Sequence, residues 1–523
     1  MNTSINYAGL LTAILPVVIV FTGASLSLLA EAVLPRRSRW GTQLGLSIVV
    51  LALAFASSVV MYAAPSSGML AGDQTLMVMV DRPALGLWML LALFGVLSVL
   101  LFAEREVYRG VSAFTPSGAA IPGSLDEKAA GEARHEHSEV FTLLLFSLTG
   151  MMLFLAADNL MMMFVALEIM SLPLYLLSGL ARRRRLLSQE AAMKYFLLGA
   201  LSSAFFLFGI ALVFAYAGSF QLAVIDVMVG QSSLSEGVLI AGLLMMLVGL
   251  LFKVGIAPFQ SWVPDVYTGA PTPVTAFMAV CTKIAAVGGL MRVLYVGLGA
   301  ERWDWQPVLA VAAILTMLIG AVIGLAQTDI KRLLAYSSIT HAGYLLVAVA
   351  GAAQAANGMS GLTSVSATSF YLLTYGVATI PAFAMVTMVR DNGAEVTQLS
   401  GWAGIGRKNP VFATVMAVFM LSFAGIPLTA GFMGKWAAFA AAFQGGWGWL
   451  ALVGVLLSLV AAVYYLRVIA IMFFREPVEG PEVTDTSAAT LVVVVLGLVA
   501  TVVLGIIPGP RWASSTVPVS SCV

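Results

Sequence analysis

The chain has 523 residues; 60% are hydrophobic, only 10% are charged, and the net charge is +1. An average soluble domain carries about 25% charged residues, so a water-facing globule of this size could not cover its surface, and lipid must be the solvent for much of it. Nothing in the charge balance offers a nucleic acid a basic face.

Apolar runs of the length a bilayer demands, roughly 20 residues, predict fourteen spans at about 8–30, 43–63, 83–103, 139–156, 159–180, 190–217, 236–258, 271–297, 306–327, 330–351, 364–389, 409–440, 447–474 and 487–508. Met1 to Tyr7 carries no positive charge and the apolar run behind it is too long for a leader, so the first run reads as a span rather than a cleavable signal. Barrel segments would alternate apolar and polar residues over about ten positions, and none of these runs does. The expected organisation is an N-terminal three-helix segment (1–103), a loop (104–138), two five-span units (139–297 and 306–474), and a C-terminal helix with its tail (487–523).

Every basic cluster follows an odd-numbered span: Arg36, Arg37 and Arg39; Arg105, Arg109, Lys128 and Arg134; Arg182 to Arg185; Lys331 and Arg332; Arg390, Arg407 and Lys408; Arg475. Cytoplasmic loops are enriched in Lys and Arg, so this alternation supports an even number of spans and places both termini outside. The long loop contains His135, Glu136 and His137. With no further ligand clustered nearby it reads as a solvated loop and not a metal site. Cys281 and Cys522 are too few for an iron–sulfur cluster. His341 is the only histidine in an apolar run, which excludes a bis-histidine haem.

Ionisable residues inside hydrocarbon cost about 2.5–3.5 kcal/mol on insertion scales, and they usually face the protein interior and serve function. Glu168 in span 5, Lys253 in span 7, Lys283 in span 8, His341 in span 10 and Lys435 in span 12 all lie deep in their runs. Lys194 lies near the start of span 6, where snorkelling to the interface is a competing explanation. Four of only seven lysines are thus placed within spans. Arg292 and Arg467 lie nearer span ends and read as snorkelling or structural. An amine taken out of water loses part of its preference for the charged form, and a nearby carboxylate restores it. A Glu–Lys pair whose contact can be altered is therefore a switchable proton store. Glu168 is the one carboxylate deep in a span, with Lys194 or Lys253 as its candidate partner.

Two spans carry helix breakers beside these lysines: Gly255 and Pro258 after Lys253, and Gly425 and Pro427 before Lys435. Proline removes a helical hydrogen bond and crowds the preceding turn. Inside a membrane such breaks survive only where protein or cavity water satisfies the freed groups, and transporters place them in corresponding positions of repeated halves. The two breaks lie five spans apart. Spans 4–8 and 9–13 are therefore expected to be repeats, and an odd repeat length makes them inverted.

The stretches Glu190-Ala-Ala-Met-Lys-Tyr-Phe-Leu-Leu-Gly199, Phe252 through Val274, and Asp329-Ile-Lys-Arg-Leu-Leu-Ala-Tyr-Ser-Ser338 with His341 resemble the subunit N family of bacterial NADH–quinone oxidoreductase (respiratory complex I). That family is itself similar to Mrp-type sodium/proton antiporter subunits, and the resemblance covers nearly the whole chain. It implies a proton-translocating membrane-arm subunit in a bacterial plasma membrane. It implies that the span-5 glutamate pairs with the span-6 lysine, here Glu168 and Lys194, and that Lys253, Lys283 and Lys435 form a polar axis, with His341 a candidate relay. Flavin and iron–sulfur clusters are then expected in partner subunits and no cofactor in this one. The expected partners are sister antiporter-like subunits, small membrane subunits and lipids. A lysine at position 435 fits subunit N; a sister subunit typically carries glutamate there. The long 104–138 loop departs from the family pattern. The competing readings are a stand-alone or Mrp-type sodium/proton antiporter subunit and an inert membrane scaffold.

Overall fold

A computed structural model describes residues 12–63, 72–73, 77–107, 112–114, 137–181, 185–352 and 363–507. His135, Glu136, Cys522 and most of the 104–138 loop lie outside the described residues. Thirteen described helices are long and apolar enough to cross a membrane, and a further crossing, span 12, is divided into Pro410–Ala424 and Ala430–Gln444. The chain is an all-α polytopic membrane protein. Its short strands lie outside the spans. Val389–Asp391 pairs with Ala394–Glu395 and Glu482–Val483 at the end of the bundle that carries the basic loops.

Burial sorts the spans. Span 8 (Thr272–Gly297) and span 10 (Ile330–Ala350) are enclosed by protein along their whole apolar windows, whereas span 1 (Leu15–Val33), span 2 (Arg36–Ala63) and span 14 (Ala488–Ile506) leave about two thirds of theirs open. Exposed side chains such as Leu29, Val60, Leu459 and Leu496 suit a lipid-facing shell. The polar residues singled out in spans 7, 8, 10 and 12 therefore sit inside a protein core.

Span 7 is helical over Glu236–Val254, breaks, and resumes as Trp262–Gly269. The helix thus ends earlier than the run to 258 predicted. The reason is Gly255, which adopts φ 84°, ψ 42°, a left-handed conformation that glycine reaches without steric cost. Gly425 ends the first piece of span 12 with φ 80°, ψ 42°. In both, the glycine N–H and that of the following isoleucine turn back onto the preceding helix: Gly255 and Ile256 to Leu251 O, Gly425 and Ile426 to Leu421 O. This is the glycine C-cap that satisfies terminal carbonyls.

Other local geometry recurs at the same interval. Span 5 (Leu160–Ser178) is capped by Asn159 and span 10 by Asp329, each through its side-chain oxygen. Leu160 N bonds to Phe220 O and Ile330 N to Thr397 O, at 2.9 and 2.7 Å; Leu222 N bonds to Asp158 O and Leu399 N to Thr328 O, at 3.0 and 2.7 Å. The separation from Asn159 to Gly255 equals that from Asp329 to Gly425.

The two span arginines repeat as well. Arg292 Nε bonds to Leu155 O at the end of span 4 (Glu139–Ala156), and Arg467 Nη1 bonds to Leu325 O at the end of span 9 (Arg302–Ala326). The last carbonyls of a helix have no partner within it and carry the negative end of its dipole, so a guanidinium completes them. Arg292 also pairs with Asp81 at 2.6 Å. The structural alternative to snorkelling holds for both arginines.

Candidate functional site: a line of buried amines

Lys253 occupies the last turn of the first piece of span 7 and is 5% exposed. Its Nζ donates to Ser171 Oγ at 2.8 Å and Tyr175 Oη at 3.2 Å, both on span 5. It also lies 5.4 Å from the Tyr175 ring centre and 5.8 Å from that of Tyr195, where a ring quadrupole attracts a cation. Glu168, one turn before Ser171, makes no ion pair with it and acts on it only through space. One Glu168 carboxylate oxygen is buried without a hydrogen-bond partner.

Lys194 lies elsewhere. It pairs with Glu190 and Asp265, each at 2.7 Å, and not with Glu168 as the family resemblance implies. Asp265 also receives Arg332 at 3.2 Å. The cause is helix length. Span 6 runs Arg185–Ala217, 33 residues, or about 50 Å at 1.5 Å per residue, against a hydrocarbon core of about 30 Å. Its first turns reach the interface, and the Lys194 side chain is 41% exposed.

Lys283 follows a π-helical stretch, Met278–Thr282, in span 8; π-bulges recur at functional positions. Its Nζ donates to Val254 O at 3.1 Å, the carbonyl next to Lys253 in sequence and the last before Gly255. Lys435 lies in the second piece of span 12, yet its Nζ reaches back to Ala424 O at 2.9 Å, the last carbonyl before Gly425, and to Ser458 Oγ at 2.7 Å. Both ammonium groups therefore sit on the negative end of a half-helix. Pro258 and Pro427 lie within the two breaks and free the backbone that makes room for these contacts.

His341 is 3% exposed and lies among tyrosines of spans 10, 11 and 13. Its Nδ1 lies 2.5 Å from Tyr371 Oη and its Nε2 3.3 Å from Tyr465 Oη. Its ring also meets that of Tyr344 at 5.6 Å, which in turn lies 4.9 Å from Lys435 Nζ. Lys283 and Lys435 both act on His341 electrostatically.

A hydroxyl shell joins these groups: Ser337 to Tyr465 at 2.5 Å, Tyr464 to Tyr465 at 3.2 Å, and Tyr375 to Ser338 at 3.0 Å. Sequence reasoning passed over these residues. The available signal was tyrosine within long apolar runs, since a buried phenol needs a partner for its O–H. Among the described residues no group of three His, Cys, Asp or Glu could hold a metal ion.

Comparison with known proteins places the chain in a family. A profile described as "NADH:quinone oxidoreductase/Mrp antiporter, TM" matches residues 157–461. The chain is 51% identical over 500 residues to NADH-quinone oxidoreductase subunit N of Cutibacterium acnes, covering 95% of this chain and 92% of that one. It is 49% identical over 508 residues to the subunit N of a Nocardioides species, covering 95% of each. Among solved structures it is similar to a chain of respiratory complex I from Thermus thermophilus with bound aureothin, at 33% identity and TM-score 0.74, covering 95% of this chain and 98% of that one. It shares the fold of a chain of the Mrp complex from a Dietzia species, at 19% identity and TM-score 0.79, covering 98% and 97% of the two chains. The chain belongs to the subunit N family of NADH-quinone oxidoreductase.

Proposed function

We propose that the chain is a non-redox, proton-translocating membrane-arm subunit of an NADH–quinone oxidoreductase, moving protons along Glu168, Lys253, Lys283, His341 and Lys435 in response to electron transfer in other subunits. The observation that carries this reading is the matched placement of Lys283 and Lys435 on the last carbonyls of two broken helices, with His341 between them. Each ammonium is held by neutral oxygens, Lys435 also by the Tyr344 ring, and not by a carboxylate. A modest change in the field is then enough to release its proton. Moving one charge against 100 mV takes about 2.3 kcal/mol, equivalent to changing a site's proton affinity by about 50-fold.

The switch is the contact between Glu168 and Lys253, which is open in this structure. Closing it favours the ammonium, and opening it sends the proton on toward Lys283. Lys194 stands at the basic end of the same route, tied to Asp265 on the second piece of span 7. Gly255, Pro258, Gly425 and Pro427 act as the hinges. Spans 4–8 and 9–13 form two inverted five-span repeats, supported by the recurring caps, arginine clamps and glycine breaks.

The basic loops lie in the cytoplasm, both termini lie outside, and the membrane is a bacterial plasma membrane. Flavin and iron–sulfur clusters belong to partner subunits and no cofactor to this one. Sister antiporter-like subunits and small membrane subunits adjoin it, with lipid around them. Replacing Lys253 with alanine in the assembled complex abolishes NADH-driven proton pumping while the complex still assembles; pumping at the level of the unaltered complex would overturn the reading.

The alternative, a stand-alone or Mrp-type sodium/proton antiporter subunit, is favoured by the shared fold at TM-score 0.79. Affinity purification distinguishes the two: co-purification of NADH-oxidising flavin and iron–sulfur subunits supports the first reading, and their absence supports the second.

A further inference from the structure

The axis above leaves one buried lysine unused. Lys331, in the first turn of span 10, reads in the sequence as a topology marker beside Arg332. It is 4% exposed, and its Nζ donates to Ala270 O at 2.9 Å. Ala270 closes the second piece of span 7. Two residues on, Thr272 Oγ1 bonds to both carboxylate oxygens of Glu395, at 2.7 and 2.9 Å. Glu395 lies in the short sheet at the basic end of the bundle. A lysine and a carboxylate therefore meet the same short link between span 7 and span 8.

The same seam leads inward. Ser338 lies two helical turns beyond Lys331 on span 10, about 10 Å at 1.5 Å per residue. Its hydroxyl accepts from Tyr375 Oη at 3.0 Å. The Tyr375 ring lies 5.1 Å from that of His341. Span 10 thus meets the second piece of span 7 with an amine over a carbonyl at the basic end, and deeper in its Ser338 hydroxyl pairs with Tyr375 of span 11, with His341 beyond.

We propose that Lys331, with Glu395 beside it, is the proton inlet of the second half of the subunit, supplying His341 through Ser338 and Tyr375. The neutral amine takes a proton from water at the basic face and becomes an ammonium. It passes a proton to water in the seam and is neutral again. Each hydroxyl accepts that proton on a lone pair and gives up its own, so no net charge stays on Ser338 or Tyr375. This inlet rests on the function proposed above. A purely structural Lys331 would act through its charge and its donors, the cap on Ala270 O among them, and an arginine supplies both. Guanidinium keeps the charge and the donors but does not release its proton in proteins.

The test uses the assembled complex in inverted membrane vesicles, reading proton uptake per NADH oxidised and, separately, NADH oxidation with uncoupler present. The variants are Lys331→Arg, Lys331→Met and Glu395→Gln, with Lys253→Ala alongside. Lys331→Arg is expected to assemble, to keep uncoupled NADH oxidation, and to lower protons per NADH by about fivefold, as a guanidinium cannot act as a carrier. Lys331→Met is expected to lower them as much. Unchanged pumping in Lys331→Arg makes Lys331 a cap and overturns the inlet. If Lys331→Arg fails to assemble, Glu395→Gln decides: reduced pumping supports the inlet and unchanged pumping overturns it. Normal pumping in Lys331→Arg with none in Lys253→Ala sinks the inlet alone, and normal pumping in both sinks the axis itself.

Discussion

Lys283 and Lys435 stand on different spans in different halves of the chain, yet each donates to the carbonyl immediately before a left-handed glycine, Val254 O before Gly255 and Ala424 O before Gly425. A helix end attracts a cation because its last carbonyls are unpaired and its dipole is negative there. The hydrocarbon core itself offers no acceptor, so the protein must supply one. The breaks are thus the means by which an amine is stabilised inside the membrane without a carboxylate partner.

A methyl group at each glycine separates the hinge from the lysine it serves. At Gly425 an added Cβ would lie 2.8 Å from Lys435 Cδ and 3.1 Å from its Nζ, while at Gly255 it would meet Val263 Cγ2 at 2.8 Å. Both substitutions force a left-handed alanine, costing roughly 1–2 kcal/mol. Gly425→Ala is expected to lower proton pumping more than Gly255→Ala at a similar loss of thermal stability. Proton uptake in vesicles, normalised to assembled complex on native gels, measures both.

Arg292 holds the other end of span 8. Its guanidinium joins Leu155 O to Asp81, the capping residue of span 3 (Arg82–Phe102), with side chains 5% and 15% exposed. Removing one member of a buried pair strands the other charge and costs about 3–5 kcal/mol. Arg292→Met should therefore lower the temperature at which the subunit leaves the purified complex, and Arg292→Met combined with Asp81→Asn should recover part of the loss. Equal stability of the single and double variants would show that Asp81 is not the stranded charge.

At the basic end, His137 Nδ1 lies 2.6 Å from Glu139 Oε1. That hydrogen bond, against the opposing effect of burial, raises the histidine above its usual value of 6.5. A raised histidine contributes stability that is fully present below the unfolded value and is lost as pH rises through the folded one. Hydrogen-exchange protection of residues 138–142 is thus expected to be highest below about pH 6.5 and to fall as pH rises further. In His137→Gln the protection, corrected for intrinsic exchange, should not vary over that range.

The membrane spans and Lys253, Lys283, Lys435 and His341 were legible because a charge or imidazole in a long apolar run stands out against its insertion cost. The breaks were legible because Gly and Pro interrupt the helical pattern. The partner of Lys194 was not. Asp265 lies far along the chain and meets it only through the second piece of span 7, beyond the break. Nor was the hydroxyl shell around His341, since serine and tyrosine fit an apolar run at little cost and their pairing depends on which helix faces meet. Lys331 was masked by its neighbour Arg332, which does reach the surface while Lys331 turns inward.

The most direct test is the number of protons moved per NADH when Lys283 becomes methionine, since Lys283 lies between the first break and His341. With the assembled complex in proteoliposomes and NADH oxidation measured with uncoupler as the reference, the ratio is expected to fall while uncoupled oxidation is retained. An unchanged ratio in fully assembled Lys283→Met complex would contradict a proton path through these amines.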